Sequence, residues 1–92
     1  MIFHVAIPSP LRSYCDGKAD VAITCAEQSP TLADLLAGLD AAFPGIRFRM
    51  LDEQGKLRPH MQVFVNAAVQ RNPQALLPPS ADEMIVAALS GG

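Results

Sequence analysis

Residues 29–45, SPTLADLLAGLDAAFPG, constrain the fold more than any other stretch of the chain. Leu32, Leu35, Leu36, Leu39 and Phe43 recur at i, i+3, i+4 and i+7, the period of an amphipathic helix. Thr31 is a good N-cap, and Asp34 three residues on completes the pattern of a capping box and suits the positive helix end. Pro44-Gly45 stops the helix. The result is a helix of about twelve residues with a single apolar stripe, which must be buried against another element.

No second stretch has helical period of comparable strength, so the covering surface has to come from strands. Residues 2–7, IFHVAI, are rich in β-branched and aromatic types, and Pro8 and Pro10 end the run. Residues 20–25, DVAITC, alternate as a second strand after the turn signal Asp16-Gly17, so the two should form a hairpin with a loose loop. Residues 46–51, IRFRML, suit a short helix, a strand or an extended connection, and residues 52–56, DEQGK, a turn. Residues 60–66, HMQVFVN, read as a strand with Met61, Val63 and Val65 on one face and Gln62, Phe64 and Asn66 on the other. A brief strand is expected near 69–71, then a loop over 72–83 with room for one helical turn at 73–76. EMIVAAL, 83–89, is apolar on both faces and reads as a central strand.

The order β-β-α-β-(β)-β gives an α+β fold with one main helix across one face of a four- to five-stranded mixed sheet. If the first and last strands are central neighbours they run parallel, and the helix is the right-handed crossover between them. That arrangement is a β-grasp, the ubiquitin-like roll. A chain of 92 residues is expected to form one such domain over 1–92.

Composition narrows the function. A net charge of −2 argues against nucleic acid, which rewards a basic stripe. No apolar run approaches the roughly 20 residues that span a bilayer. MIFHVAIPSP lacks a basic region and a long enough apolar core for a signal peptide, so the expectation is a cytoplasmic protein. Cys15 and Cys25, ten apart, match neither a CxxC redox pair nor a zinc half-site and read as two reduced thiols. His4 and His60 stand in no nucleophile or metal motif, and no metal is expected. Asp52-Glu53 and Asp82-Glu83 read as solvated loop charge, and no glycine-rich phosphate loop or serine elbow is present. Arg47, Arg49, Lys56 and Arg58 form a small basic cluster, either a solvated face or a docking site.

The remaining candidate is Ser90-Gly91-Gly92. A tail from about Ala87 to Gly92, extended and flexible, could reach on the order of 20 Å into a partner's active site. Two residues without Cβ fit a narrow channel and take whatever backbone conformation the partner imposes. The reactive group is then the Gly92 α-carboxylate, with Gly91 beside it. A carboxylate becomes electrophilic only when its oxygen is made a leaving group. Adenylation by ATP on a partner does this, and a sulfur nucleophile can then displace AMP.

At this point the chain resembles the MoaD/ThiS sulfur-carrier proteins. TLADLLAGLDAAFPGI is similar to that family's helix and its Pro-Gly exit, LDEQGKLRPHMQVFVN to its middle turn and strand, and ADEMIVAALSGG to its last strand and tail. Two places depart from the pattern: Ala67-Ala68 and Ala81 stand where glycine is usual. The resemblance implies adenylation of Gly92 by an adenylyltransferase resembling the ubiquitin-activating enzyme. It further implies conversion to a thiocarboxylate and sulfur donation to an accepting synthase subunit, with ATP bound by the partner and no cofactor bound here. The acceptor pathway would be of the molybdopterin, cysteine or thiamine type.

A partner surface follows from strand parity. With Phe3, Val5, Ile7, Val63, Val65 and Ile85 facing the helix, the open face shows His4, Ala6, Gln62, Phe64, Met84 and Val86. Phe64, Met84 and Val86, with Leu89 and Ser90 leading to the glycines, are the candidate partner-binding residues. A slip of one residue would invert the faces. Two other readings use the same features: a ubiquitin-like protein modifier joined through the diglycine, and a β-grasp binding subunit whose tail is incidental.

Overall fold

The computed structural model describes residues 2–78 and the backbone of residues 83–88. Five strands form one sheet: β1 (Ile2–Ala6), β2 (Asp20–Thr24), β3 (Met61–Val65), β4 (Ala68–Val69) and β5 (Glu83–Ala88). Helix α1 (Leu32–Ala42) and the single turn α2 (Arg47–Met50) lie between β2 and β3. The spatial order is β2-β1-β5-β3-β4. β1 pairs with β5 in parallel, and every other pair is antiparallel. The fold is the expected mixed β-grasp.

α1 forms as its capping signal requires. The Thr31 hydroxyl accepts the Asp34 N–H at 3.1 Å, and the Asp34 carboxylate accepts the Thr31 N–H at 2.9 Å. The loop after β4 serves the same end of the helix. Leu32 N–H donates to the Ala75 carbonyl at 3.0 Å and Ala33 N–H to the Pro73 carbonyl at 2.7 Å, so two donors without intrahelical partners are satisfied. That loop forms a turn rather than a helical turn over 73–76. At the far end, the Asp40 carboxylate accepts N–H groups from Gly45 at 3.0 Å and Arg47 at 3.1 Å, which turns the chain into α2.

The stripe is buried as expected: Leu32, Leu35, Leu36 and Leu39 are fully covered. They meet Phe3, Val5, Val21, Ile23, Met61, Val63 and Val65 on the sheet face. α1 lies so close to β2 that a Cβ on Gly38 would sit 3.0 Å from the Ile23 Cγ2. Glycine is therefore kept inside the helix despite its poor propensity.

Two larger features of the fold also differ from the sequence reading. Ser9–Cys15 is a 3-10 helix that buries Leu11 and Cys15, where a loose hairpin loop was expected. Pro8 and Pro10 end the strand and also start this helix, since a fixed proline φ suits a helical first turn. The second difference is the parity of β5. Its register sets Met84 against Val5 and Val65, and Val86 against Val63, positions of the helix-covered face. Ile85 is set against Ala6 and Phe64, on the open face. Cross-strand partners share a face, so Met84 and Val86 do not join Phe64 on the open side, and Ile85 takes their place in the register. The run MIVAA is apolar throughout and carries no alternation to fix its parity.

The β3–β4 hairpin turns through Asn66 and Ala67 with φ of 50° and 69°. Both values fit the two-residue turn of a twisted hairpin, which demands positive φ at both positions. Asn tolerates it; Ala does not. Ala67 therefore stores strain at one of the two places where glycine was the expected residue. The other, Ala81, lies outside the described residues.

Two stability changes follow. Ala67→Gly raises stability by about 1 kcal/mol through relief of that strain. Thr31→Ala lowers it by about 1 kcal/mol through loss of the capping box. Urea unfolding followed by far-UV circular dichroism measures both.

Candidate functional site

The candidate site is built outward from the end of β5. This strand is hydrogen-bonded on both edges, to β1 and to β3, and its last residue, Ala88, is in register with Met61. Ala87 and Ala88, expected at the root of the tail, are ladder residues opposite Gln62 and Met61. The stretch left for the expected tail is therefore 89–92. Leu89, Ser90, Gly91 and Gly92 lie outside the described residues. Covalent geometry limits four residues to a span of roughly 14 Å.

Three segments surround the end of β5. β1 runs parallel to β5, so the 3-10 helix that follows it lies there. β3 starts there, and Met61 N–H donates to the Arg58 carbonyl at 2.9 Å. α2 is tied to the same corner: Arg58 N–H donates to the Met50 carbonyl at 2.9 Å, and Arg58 Nε donates to the Phe48 carbonyl at 2.7 Å. The expected basic cluster is thus partly structural, and it stands beside the root of the tail. Phe48, which the sequence reading did not single out, is 64% exposed between Arg47 and Arg49. Its neighbours Ile46 and Met50 take the buried positions of this short turn. An aromatic residue inside a basic run was the available signal.

The second part of the site is the open sheet face. Phe64 is half-buried on β3, flanked by Gln62 and paired across the ladder with Val69, which is 50% exposed. On β1, Ile2 and His4 are exposed on the same side and Ala6 is half-buried. Phe64 is the one candidate partner residue whose side chain the structure places on this face. Val69 extends the face toward the sheet edge.

The other reactive side chains are taken up elsewhere. Cys15 and Cys25 are both buried, and burial pushes both thiols up from their ordinary range, assisted by the nearby Asp16 and Glu27 carboxylates respectively. A thiol held protonated and covered is a poor nucleophile. The Asp52 carboxylate accepts the N–H groups of Lys56 and Gln54 at 2.9 Å each, and the Lys56 bond above all holds it below the usual carboxylate range. Asp52 closes a turn. His4 and His60 are exposed and far apart in the fold. Among the described residues, no group of three or more His, Cys, Asp or Glu is placed to hold a metal ion, and no helix is long and apolar enough to cross a membrane.

No family model matches the chain, and no curated protein does. Solved structures do match it over nearly their whole length. A chain in the crystal structure of the Amycolatopsis orientalis BexX/CysO complex is 22% identical over 98% of this chain and 98% of its own, with a TM-score of 0.83. Mycobacterium tuberculosis CysO, described as an antigen, is 24% identical over 94% of this chain and 97% of its own, at 0.77. SAMP1 from Haloferax volcanii is 22% identical over 100% of both chains, at 0.81. At these identities the likeness shows the fold, and the fold is the β-grasp of CysO and SAMP1.

The raised thiols give a direct test. At pH 8 in native buffer, iodoacetamide alkylates Cys15 and Cys25 more slowly than in urea, because burial covers both thiols and holds them protonated. Peptide mass spectrometry of the quenched chain reads the two rates. Native and unfolded rates that coincide would contradict the burial described here.

Proposed function

We propose that this chain is a sulfur carrier, a protein cosubstrate and not a catalyst, whose reactive group is the α-carboxylate of Gly92. The observation that carries the reading is the position of β5. A central strand, bonded on both edges, ends at Ala88, four residues before Gly92. A tail following Ala88 would thereby be anchored by a strand paired with β1 over Glu83–Ile85 and with β3 up to Ala88. The likeness in fold to CysO and SAMP1 supports it further.

The chemistry belongs to the partner. An adenylyltransferase resembling the ubiquitin-activating enzyme binds ATP. A Gly92 carboxylate oxygen attacks the α-phosphorus, pyrophosphate leaves, and a mixed acyl-phosphate anhydride forms. Sulfide then adds to the acyl carbon and AMP departs, leaving a thiocarboxylate on Gly92. The thiocarboxylate gives up its sulfur to an accepting synthase subunit in cofactor or amino-acid biosynthesis. Gly91 and Gly92 supply slimness and backbone freedom in the partner's channel. Phe64 and Val69 supply an apolar docking face beside the strand that bears the tail. The BexX/CysO complex is a precedent for a chain of this fold seated on a partner protein.

A second reading is favoured by one comparison. The Haloferax volcanii neighbour is a small archaeal modifier protein. A modifier would form the same adenylate and end in an isopeptide bond to a lysine amine instead of a thiocarboxylate.

Deletion of Gly91-Gly92 tests both readings against an incidental tail. The truncated chain is expected to lose ATP–pyrophosphate exchange with the adenylyltransferase, with its thermal midpoint unchanged. Exchange at the full-length rate would leave only the binding-subunit reading.

A further inference from the structure

The topology sorts charge along the strands. The ends of β1 and β5 and the start of β3 share one end of the sheet. The chain has seven Lys and Arg, and all of them fall in segments at that end. Arg12 and Lys18 lie between β1 and β2, and four more lie between α1 and β3. Arg71, just past β4, donates from Nη1 to the Met61 carbonyl at 2.7 Å. At the opposite end Glu27 follows β2, Asp34 opens α1 and Glu83 opens β5 in register with His4, with no Lys or Arg among the described residues there. Five carboxylates also lie at the basic end, Asp16, Asp20 and Glu53 together with Asp40 and Asp52, which accept backbone N–H groups, so the seven cations exceed them by two. A chain of net charge −2 thus presents a basic pole where its tail is rooted.

Phe48 is the apolar centre of that pole. Arg58 holds its carbonyl oxygen at 2.7 Å. Arg49 donates from Nε to the Tyr14 hydroxyl, and its guanidinium carbon stands 5.7 Å from the Tyr14 ring centroid. α2 is therefore fixed from both sides while the Phe48 ring is left to solvent. An exposed aromatic on a fixed turn, flanked in sequence by Arg47 and Arg49, has the composition of an interface hot spot, and Asp52 and Glu53 line the same hollow.

We infer that Phe48, with Arg47, Arg49 and Arg58 around it, is the docking surface for the adenylyltransferase, whose own surface beside the tail channel is acidic and carries an apolar pocket for the Phe48 ring. The inference rests on the carrier reading and adds to it the chemistry of the partner. An acidic partner attracts the basic pole and repels the opposite one, so encounter is oriented with the tail leading. This surface is separate from the Phe64 face, which remains available to a sulfur acceptor.

The test is ATP–pyrophosphate exchange by the adenylyltransferase at varied concentrations of this chain. Phe48→Ala and Arg47→Glu each raise the KM for the chain about tenfold or more and leave kcat unchanged. Glu27→Lys, at the other pole, does not raise it. Circular dichroism checks that each variant folds. A measurement on the unmodified chain is independent of any variant: its KM rises as NaCl increases from about 0.05 to about 0.3 M, because the steering charges are screened. A wild-type KM in Phe48→Ala or Arg47→Glu, or a KM indifferent to salt, overturns this docking surface and leaves the carrier reading standing. Absence of any exchange with the unmodified chain overturns the carrier reading, and this one with it.

Discussion

The parallel pairing of β5 with β1 is the constraint on which the rest of this fold depends. Parallel neighbours cannot be joined by a tight turn, so the chain must leave the sheet, cross one face and return. α1 is that crossover, and its leucine stripe is what holds it down. Each fully buried leucine contributes roughly 2 kcal/mol. Leu32, Leu35, Leu36 and Leu39 together therefore outweigh the capping box, worth about 1 kcal/mol. Once α1 is seated, β5 lies between β1 and β3 and ends with Ala88 at the basic end of the sheet.

The same economy of layers shapes the function. One helix covers one face, and the other face is left to Ile2, His4, Phe64 and Val69. The thiols of Cys15 and Cys25 are enclosed in the core, and Asp52 is committed to a turn. The carrier role proposed above asks no more of it than this, since the partner would supply the catalytic groups. Its fold is that of CysO and SAMP1.

Much of this was legible in the residues. Thr31 and Asp34 announced the helix start because the capping box is a local device, and Met61, Val63 and Val65 announced their face because they alternate with polar neighbours. What was not legible has a common cause, the absence of a local contrast. Residues 84–88 are uniformly apolar, so nothing in them distinguishes Met84 and Val86 from Ile85, and only the register with Val5 and Phe64 does. SPLRSYC reads as a loop until Leu11 and Cys15 are seen to fill the core beneath it. Phe48 reads as one more apolar residue in IRFRML until Ile46 and Met50 are seen to occupy the buried positions. The charge polarity is invisible in a net charge of −2, because it arises from topology and not from composition.

The central claim concerns one atom of the Gly92 carboxylate. Intact-mass spectrometry of the full chain, after incubation with the adenylyltransferase, ATP and sulfide, reads it directly. The account predicts a gain equal to the difference between sulfur and oxygen, confined to the C-terminal peptide and dependent on ATP. An unchanged mass accompanied by attachment of the chain to lysines of other proteins would contradict it.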